Sequence, residues 1–206
     1  MRPNRIPLFP LEVVLLPGMP LPLHIFEPRY KLMIGKCLSE SLEFGVILAS
    51  ASSIATVGCT AAITKKLQEY ADGRMDILTE GRAVFNMVEL LNEKPYHEAV
   101  VEYPPEDAAP QDAAKEKSLN DALEQCHALL FGQAWPGASK QSGASLAYRM
   151  AAQLPLSLEQ KQTLLETRAE DRRRDLLLRW MNELLPQLAR RQKTSKVAGG
   201  NGHALN

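Results

Sequence analysis

The chain is poor in the residues from which staples, metal sites and reactive centres are made. Its cysteines, Cys37, Cys59 and Cys126, are odd in number and widely spaced. That excludes a disulfide framework, and no pair has metal-ligand spacing, so they read as reduced core thiols of a cytoplasmic protein. Charge of one sign is also missing. Lysine plus arginine equals aspartate plus glutamate at 24 each, so net charge points to neither nucleic acid nor an acidic substrate. No apolar run approaches the ~20 residues of a membrane span. Arg2 and Arg5 precede a stretch that prolines interrupt, which makes a poor signal peptide. Gly-x-Ser-x-Gly is absent, and Ser39, Ser41, Ser50, Ser52 and Ser53 have no patterned base nearby. Gly35-Lys36-Cys37 lacks the glycines of a phosphate loop, and neither His-x-x-x-His nor Cys-x-x-Cys occurs. Cys126 and His127 are adjacent, so on a helix they point about 100° apart. No catalytic residue, cofactor or metal is therefore expected.

What is present is proline, concentrated at one end. Pro3, Pro7, Pro10, Pro17, Pro20, Pro22 and Pro28 fall in or beside residues 6–34. Proline locks φ and cannot donate to a ladder, so this stretch is not one strand. It reads as short extended pieces over 6–9, 13–16 and 21–26, with a turn at Pro17-Gly18. Pro28 then sits where a helix can start. Tyr30, Met33, Ile34, Cys37 and Leu38 follow at the spacing of one helical face.

Strand patterns follow. Residues 43–50 are a short apolar run, and Val57, Cys59, Ala61 and Ile63 alternate with Gly58, Thr60, Ala62 and Thr64. Asp72-Gly73 marks a hairpin between 67–70 and 75–79, and Gly81-Arg82 predicts a break before 84–91. In 96–103, Ala99, Val101 and Tyr103 face one way, Glu98 and Glu102 the other. Six or seven closely spaced strands and one helix favour a small barrel or sandwich. Residues 104–111 read as a linker, after which helical spacing takes over. Leu119, Ala122, Leu123, Cys126 and Leu130 mark one helix; Leu146, Ala147, Met150 and Ala151 mark another; a loop over 132–143 separates them. Ser157 with Gln160, and Thr167 with Glu170, form capping boxes that open two more. The last is long, carries Leu177, Met181, Leu184 and Leu188 on one stripe, and includes Pro186, where a kink is expected. The expected fold class is α+β. A β-rich lobe with one helix covers 1–104, a linker 105–111, a helical lobe ending in a long helix 112–192, and a disordered tail 193–206.

The opening carries a resemblance. Ile-Pro-Leu-Phe-Pro from Ile6, then Leu-Pro-Gly, then Leu-Pro-Leu-His-Ile-Phe-Glu-Pro-Arg-Tyr ending at Tyr30 resemble the start of the Lon substrate-binding (N-terminal) domain family. The stand-alone bacterial members are the most similar. Val57-Gly58-Cys59-Thr60-Ala61, the run from Asp76 to Ala83 and the run from Gln153 to Glu166 extend it from about residue 5 to about 191. The segment 104–145 matches least. The resemblance implies a PUA-like pseudo-barrel lobe followed by a helical lobe. It also implies a non-catalytic module that recognises unfolded or tagged polypeptides through exposed apolar segments. A protease or chaperone component is a further implied partner. The ATPase and Ser–Lys protease domains of full-length Lon have no counterpart, since Ser195-Lys196 stands apart from any protease motif.

The expected peptide-binding surface is the corner of Pro17, His24, Phe26, Arg29, Tyr30 and Arg82, a stiff segment offering donors beside apolar anchors. The same residues could instead knit the core, with His24 fixing the strand-to-helix corner and Arg29 bonded to Glu27. Two readings of other classes compete. One is RNA binding through Arg172, Arg173, Arg174, Arg179, Arg190, Arg191, Lys193 and Lys196. Glu170, Asp171, Asp175 and Glu183 interleave with these, as on a solvated, salt-bridged helix face; the pseudo-barrel supports RNA only by analogy of fold. The other is an unrecognised hydrolase using His24.

Overall fold

Proline sets the chain's first move. The first strand, β1 (Arg5–Leu11), contains Pro7 and Pro10 and still pairs on both sides. It lies parallel to β3 (Phe44–Ala49) and antiparallel to β6 (Glu98–Glu102). A computed structural model of the chain describes residues 2–105, 112–133 and 144–200, with side chains through 192. The remaining strands are β2 (Pro20–Ile25), β4 (Ile54–Glu69) and β5 (Met75–Leu91). Their order is β2-β5-β4-β3-β1-β6, and β5 also pairs with β6. Five strands thus close into a ring, the pseudo-barrel, which removes their open edges. β2 is an appendage on the first half of β5. Register shifts in β4 and β5, at Cys59/Ala61, Ile63/Lys65, Lys66/Gln68 and Met87/Glu89, let these long strands bend between their two sets of partners.

The ring is filled by Ile6, Leu8, Ile47, Phe85, Ala99 and Val101. Phe85 needs Gly58 opposite it: a Cβ there would stand 2.5 Å from the Phe85 ring. Both faces of β4 are therefore covered at Gly58–Ala61, where alternation predicts one polar face. Thr60 is buried, and its hydroxyl donates to Glu43 at 2.6 Å and accepts from the Ala83 N–H at 3.1 Å.

Four further expectations are corrected in this half. Residues 13–16 form no strand: Val14, Leu15 and Leu16 are buried, but their backbone is irregular up to the Pro17-Gly18 turn. Gly81 does not interrupt β5. It lets the Leu16 carbonyl lie against the strand, and its backbone exchanges bonds with Gly18 and Met19 at 2.8 and 3.0 Å. Leu38 lies at the margin of the apolar face of α1 (Pro28–Glu40) and stays exposed, whereas Tyr30, Met33, Ile34 and Cys37 are buried. Glu98 is buried rather than solvated, because Arg5 at 2.7 Å and Lys94 at 2.6 Å hold its carboxylate.

The rest of the described chain is helical: α2 (Ala113–Phe131), α3 (Leu146–Ala151), α4 (Leu158–Glu166) and α5 (Glu170–Gly200). Ser157 and Gln160 make the expected capping box of α4, with both reciprocal bonds. Thr167 makes none for α5. It is the C-terminal cap of α4, and Glu170 points inward to accept from Ala147 N–H, Arg173 and Arg174. Lys115 of α2 reaches Asp171 and Asp175 of α5 at 2.7 and 2.8 Å. The backbone of α5 is helical through Pro186 and on to Gly200. Residues 106–111 of the expected linker (105–111), 134–143 of the expected loop (132–143) and 201–206 of the expected tail (193–206) lie outside the described residues. One apolar cluster runs from Phe9, Tyr30 and Ile34 through Leu119 and Tyr148 to Leu177 and Met181, joining the helices to the barrel. Gln162 of α4 adds a hydrogen bond to the Val57 carbonyl of β4 at 3.1 Å.

Candidate functional site: a groove between barrel and helices

The expected corner separates into distinct places. Tyr30 is core: its ring is buried and stacked on Phe9 at 4.1 Å, and burial raises its phenol above the ordinary value. Arg29 lies over that ring at 4.6 Å and pairs with Glu27 at 2.8 Å. His24 and Phe26 belong to an outer patch on β2. The His24 Nδ1 lies 2.6 Å from Asp76, its cross-strand neighbour, and Tyr70 donates to the other Asp76 oxygen at 2.8 Å. Those two bonds, His24 first, hold the Asp76 carboxyl below its ordinary range. Phe26 stacks on His24 at 6.0 Å and is 58% exposed. The open edge of β2 is a poor template for a further strand. A proline in a paired strand turns its nitrogen away from the neighbour, so Pro20 and Pro22 leave that edge short of donors.

Pro17 and Arg82 come together elsewhere. With Arg2, Val84, Tyr103, Pro104 and Ala144 they line a hollow where the barrel meets the helical part. Arg82 pairs with Glu80 at 3.1 Å, and Arg2 lies over Tyr103 at 5.6 Å. A second cavity of about 150 Å³ abuts it, sharing Val84, Pro104 and Pro105. Its other walls are Val57 and Asn86 from the barrel, and Tyr148, Leu165 and residues 166–168 and Arg173 from α3, the α4–α5 turn and α5. Its walls are mixed: Val57, Val84, Pro104, Pro105, Tyr148 and Leu165 are apolar, and Asn86, residues 166–168 and Arg173 are polar. Apolar anchors beside convergent polar groups are what a recognition pocket needs. A cavity of about that volume accepts one benzene-sized group.

Arg173 builds the floor. It is 1% exposed, and its guanidinium lies 4.4 Å over the Tyr148 ring. It donates to Glu170 at 2.9 Å, to Tyr148 Oη at 3.2 Å, and to the Thr167 and Arg168 carbonyls at 2.8 and 3.0 Å. A cation at the end of α4 is favoured there, since the final carbonyls of a helix lack intrahelical donors. The arginine run is therefore not one solvated face: Arg173 and Arg174 are buried on Glu170, while Arg172 is exposed.

Nothing in the sequence marks Val57, Val84, Asn86, Tyr148, Leu165 and Arg168 as lining one site. They come from five elements and turns more than a hundred residues apart, and only the packed fold brings them together. For Arg173, the one available signal was a triplet of arginines containing a member at the spacing of the buried stripe, since Arg173, Leu177 and Met181 stand four apart. Reactive groups do not converge here. Among the described residues no three His, Cys, Asp or Glu side chains are placed to hold a metal. Burial pushes the Cys37 and Cys126 thiols up to about 11, far from nucleophilic.

A closed ring of strands is thus joined to a helical part by one core, with a groove at the junction. The model of the ATP-dependent protease La (LON) substrate-binding domain family matches residues 5–183, and the chain belongs to that family. Among solved structures, a Lon N-terminal domain protein from Xanthomonas campestris is similar, with 28% identity and a TM-score of 0.69. The match covers 86% of this chain and 98% of that one. The N-terminal domain of the Lon protease of the Mycobacterium avium complex shares the fold, at 17% identity and a TM-score of 0.61 over the same shares of the two chains. Substrate recognition is thus the role its family supports. Among the described residues no helix is long and apolar enough to cross a membrane.

Proposed function

We propose that the chain is a non-catalytic, cytoplasmic recognition module. It binds unfolded polypeptides, or segments tagged by exposed apolar residues, in the groove between barrel and helices. The observation that carries this reading is the cavity at the junction, where Val57, Val84, Tyr148 and Leu165 stand beside polar groups, continued by the hollow at Pro17 and Arg82. An apolar side chain of the bound segment occupies the cavity. The carbonyls and side chains of the α4–α5 turn and Asn86 offer hydrogen bonds to its backbone. Of the corner expected from sequence, Pro17 and Arg82 belong to this surface, and His24, Phe26 and Arg29 lie on a separate face. Val84 lines both hollows and is only partly buried, so it is the position at which to block the site. Binding of fluorescein-labelled, reduced and alkylated casein is followed by anisotropy. Val84→Lys is expected to weaken it at least ~tenfold, about 1.4 kcal/mol, with thermal melting unchanged. Undiminished binding by that variant would remove the site from the groove.

A further inference from the structure

A second groove opens on the other side of Thr167, between α4 and α5. Thr163 and Thr167 form one wall, and Arg172, Asp175, Leu176 and Arg179 form the other. Positions 172, 175, 176 and 179 fall on one helical face, with the two arginines two turns apart, about 10 Å. Leu176 lies between them. Thr167 is common to this groove and to the junction cavity, which exposed Arg168 also lines.

The ion pairs of the helical part are distributed unevenly. The carboxylates at the start of α5 are taken: the buried Glu170 by Arg173 and Arg174, and Asp171 and the exposed Asp175 by Lys115. Among the described residues, Arg168, Arg172 and Arg179 have no ion-pair partner. Glu166, which accepts from Gln162 at 2.8 Å, is the one carboxylate on these walls without a cation beside it. The sequence's overall neutrality therefore conceals a local excess of positive charge along one track. That track runs from the cavity walled by Val57, Val84 and Leu165 past Arg168 to Arg172, Leu176 and Arg179.

We infer that this track selects polypeptide segments in which acidic side chains alternate with apolar ones. The apolar residues seat in the cavity and on Leu176, and the carboxylates pair with Arg168, Arg172 and Arg179. The inference rests on the polypeptide-binding reading above and names its substrate class. An exposed ion pair contributes little singly, but two or three along one segment multiply to a preference of about tenfold.

The test uses the full chain and three fluorescein-labelled peptides. Each carries the same leucine, phenylalanine and valine residues, separated by glutamate, by glutamine or by lysine. Anisotropy titrations are run at low and at physiological salt. The glutamate peptide is expected to bind about tenfold tighter than the lysine peptide at low salt, and the margin narrows as salt screens the pairs. Arg172→Gln with Arg179→Gln brings the ratio of the two affinities close to one. Lys36→Gln, on the distant α1, removes the same sign of charge and keeps the ratio. Equal binding of all three peptides would overturn the acidic preference and leave polypeptide binding standing. Failure of every peptide to bind would overturn both. A poly-uridine RNA that displaces the glutamate peptide, and whose own binding disappears in the double variant, would overturn the inference in favour of nucleic acid.

Discussion

Arg172 and Arg173 are chemically identical neighbours, and the structure gives them opposite weight. Replacing Arg173 with Met keeps the stem and deletes the guanidinium. Glu170 then retains Arg174 and the Ala147 N–H but loses its 2.9 Å partner. The Thr167 and Arg168 carbonyls lose the donor that closes the end of α4, and Tyr148 loses both a hydrogen bond and a stacked cation. Breaking a buried, hydrogen-bonded ion pair by removing one member costs ~3–5 kcal/mol. Because a domain's total stability is only ~5–15 kcal/mol, this is a large fraction. At about 2–4 °C per kcal/mol for a chain of this size, Tm falls by about 6–20 °C. Arg172→Met, one residue away and exposed, is expected to cost under ~0.5 kcal/mol. Urea denaturation followed by far-UV circular dichroism measures both, and a cycle with Glu170→Gln isolates the pair. A loss below about 1 kcal/mol for Arg173→Met, or equal losses for the two arginines, would refute the assignment of Arg173 as the clamp of the α4–α5 turn.

Other perturbations check other parts of the account. Ile34→Ala, fully buried on α1, is expected to cost ~2–5 kcal/mol in chemical denaturation, and Leu32→Ala, 57% exposed, under ~0.5 kcal/mol; equal effects would mean the wrong helical face is buried. Gly58→Ala forces a methyl against the Phe85 ring and is expected to cost ~1–3 kcal/mol; a neutral result would contradict the packing inside the ring. Asp76 has its carboxyl lowered in the folded state, so the contribution of the His24–Asp76–Tyr70 contact is present above the ordinary carboxylate value and is lost as pH falls through the folded one. A carbon-detected NMR titration is expected to place its midpoint below 3.8, and a midpoint above that would contradict the contact. Native Cys37 and Cys126 are expected to react with a thiol reagent at pH 8 only on the timescale of opening, and fast reaction would show that they are not buried.

Much of the opening, though not the irregular 13–16, was legible because proline and glycine act locally. Pro28 starts α1 where proline belongs, and the spacing of Tyr30, Met33, Ile34 and Cys37 gave its buried face. The Asp72-Gly73 turn and the Ser157 capping box were legible for the same reason. Misreadings fell where a tertiary neighbour decides. Gly81 looks like a breaker in sequence, and only the approach of Leu16 shows why glycine stands inside a strand. Glu98 looks solvated until Arg5, far back in the chain, is paired with it. Thr167 and Glu170 satisfy a capping pattern, yet buried Arg173 and Arg174 draw the carboxylate inward. The groove was the least legible. Alternation placed Val57 on a strand face and Val84 was expected to open a strand, but the side that Leu165 and Tyr148 cover depends on how α3 and α4 dock.

Whether the groove or the β2 patch receives polypeptide is decided by one comparison. Affinity for reduced, alkylated casein is measured by anisotropy for the unaltered chain, for Val84→Lys with Arg82→Ala, and for His24→Ala with Phe26→Ala, each with its melting curve. Loss of at least ~tenfold in the groove variant, with the β2 variant within about twofold of the unaltered chain, is the predicted result. The reverse pattern, or casein bound by none of the three, would contradict it.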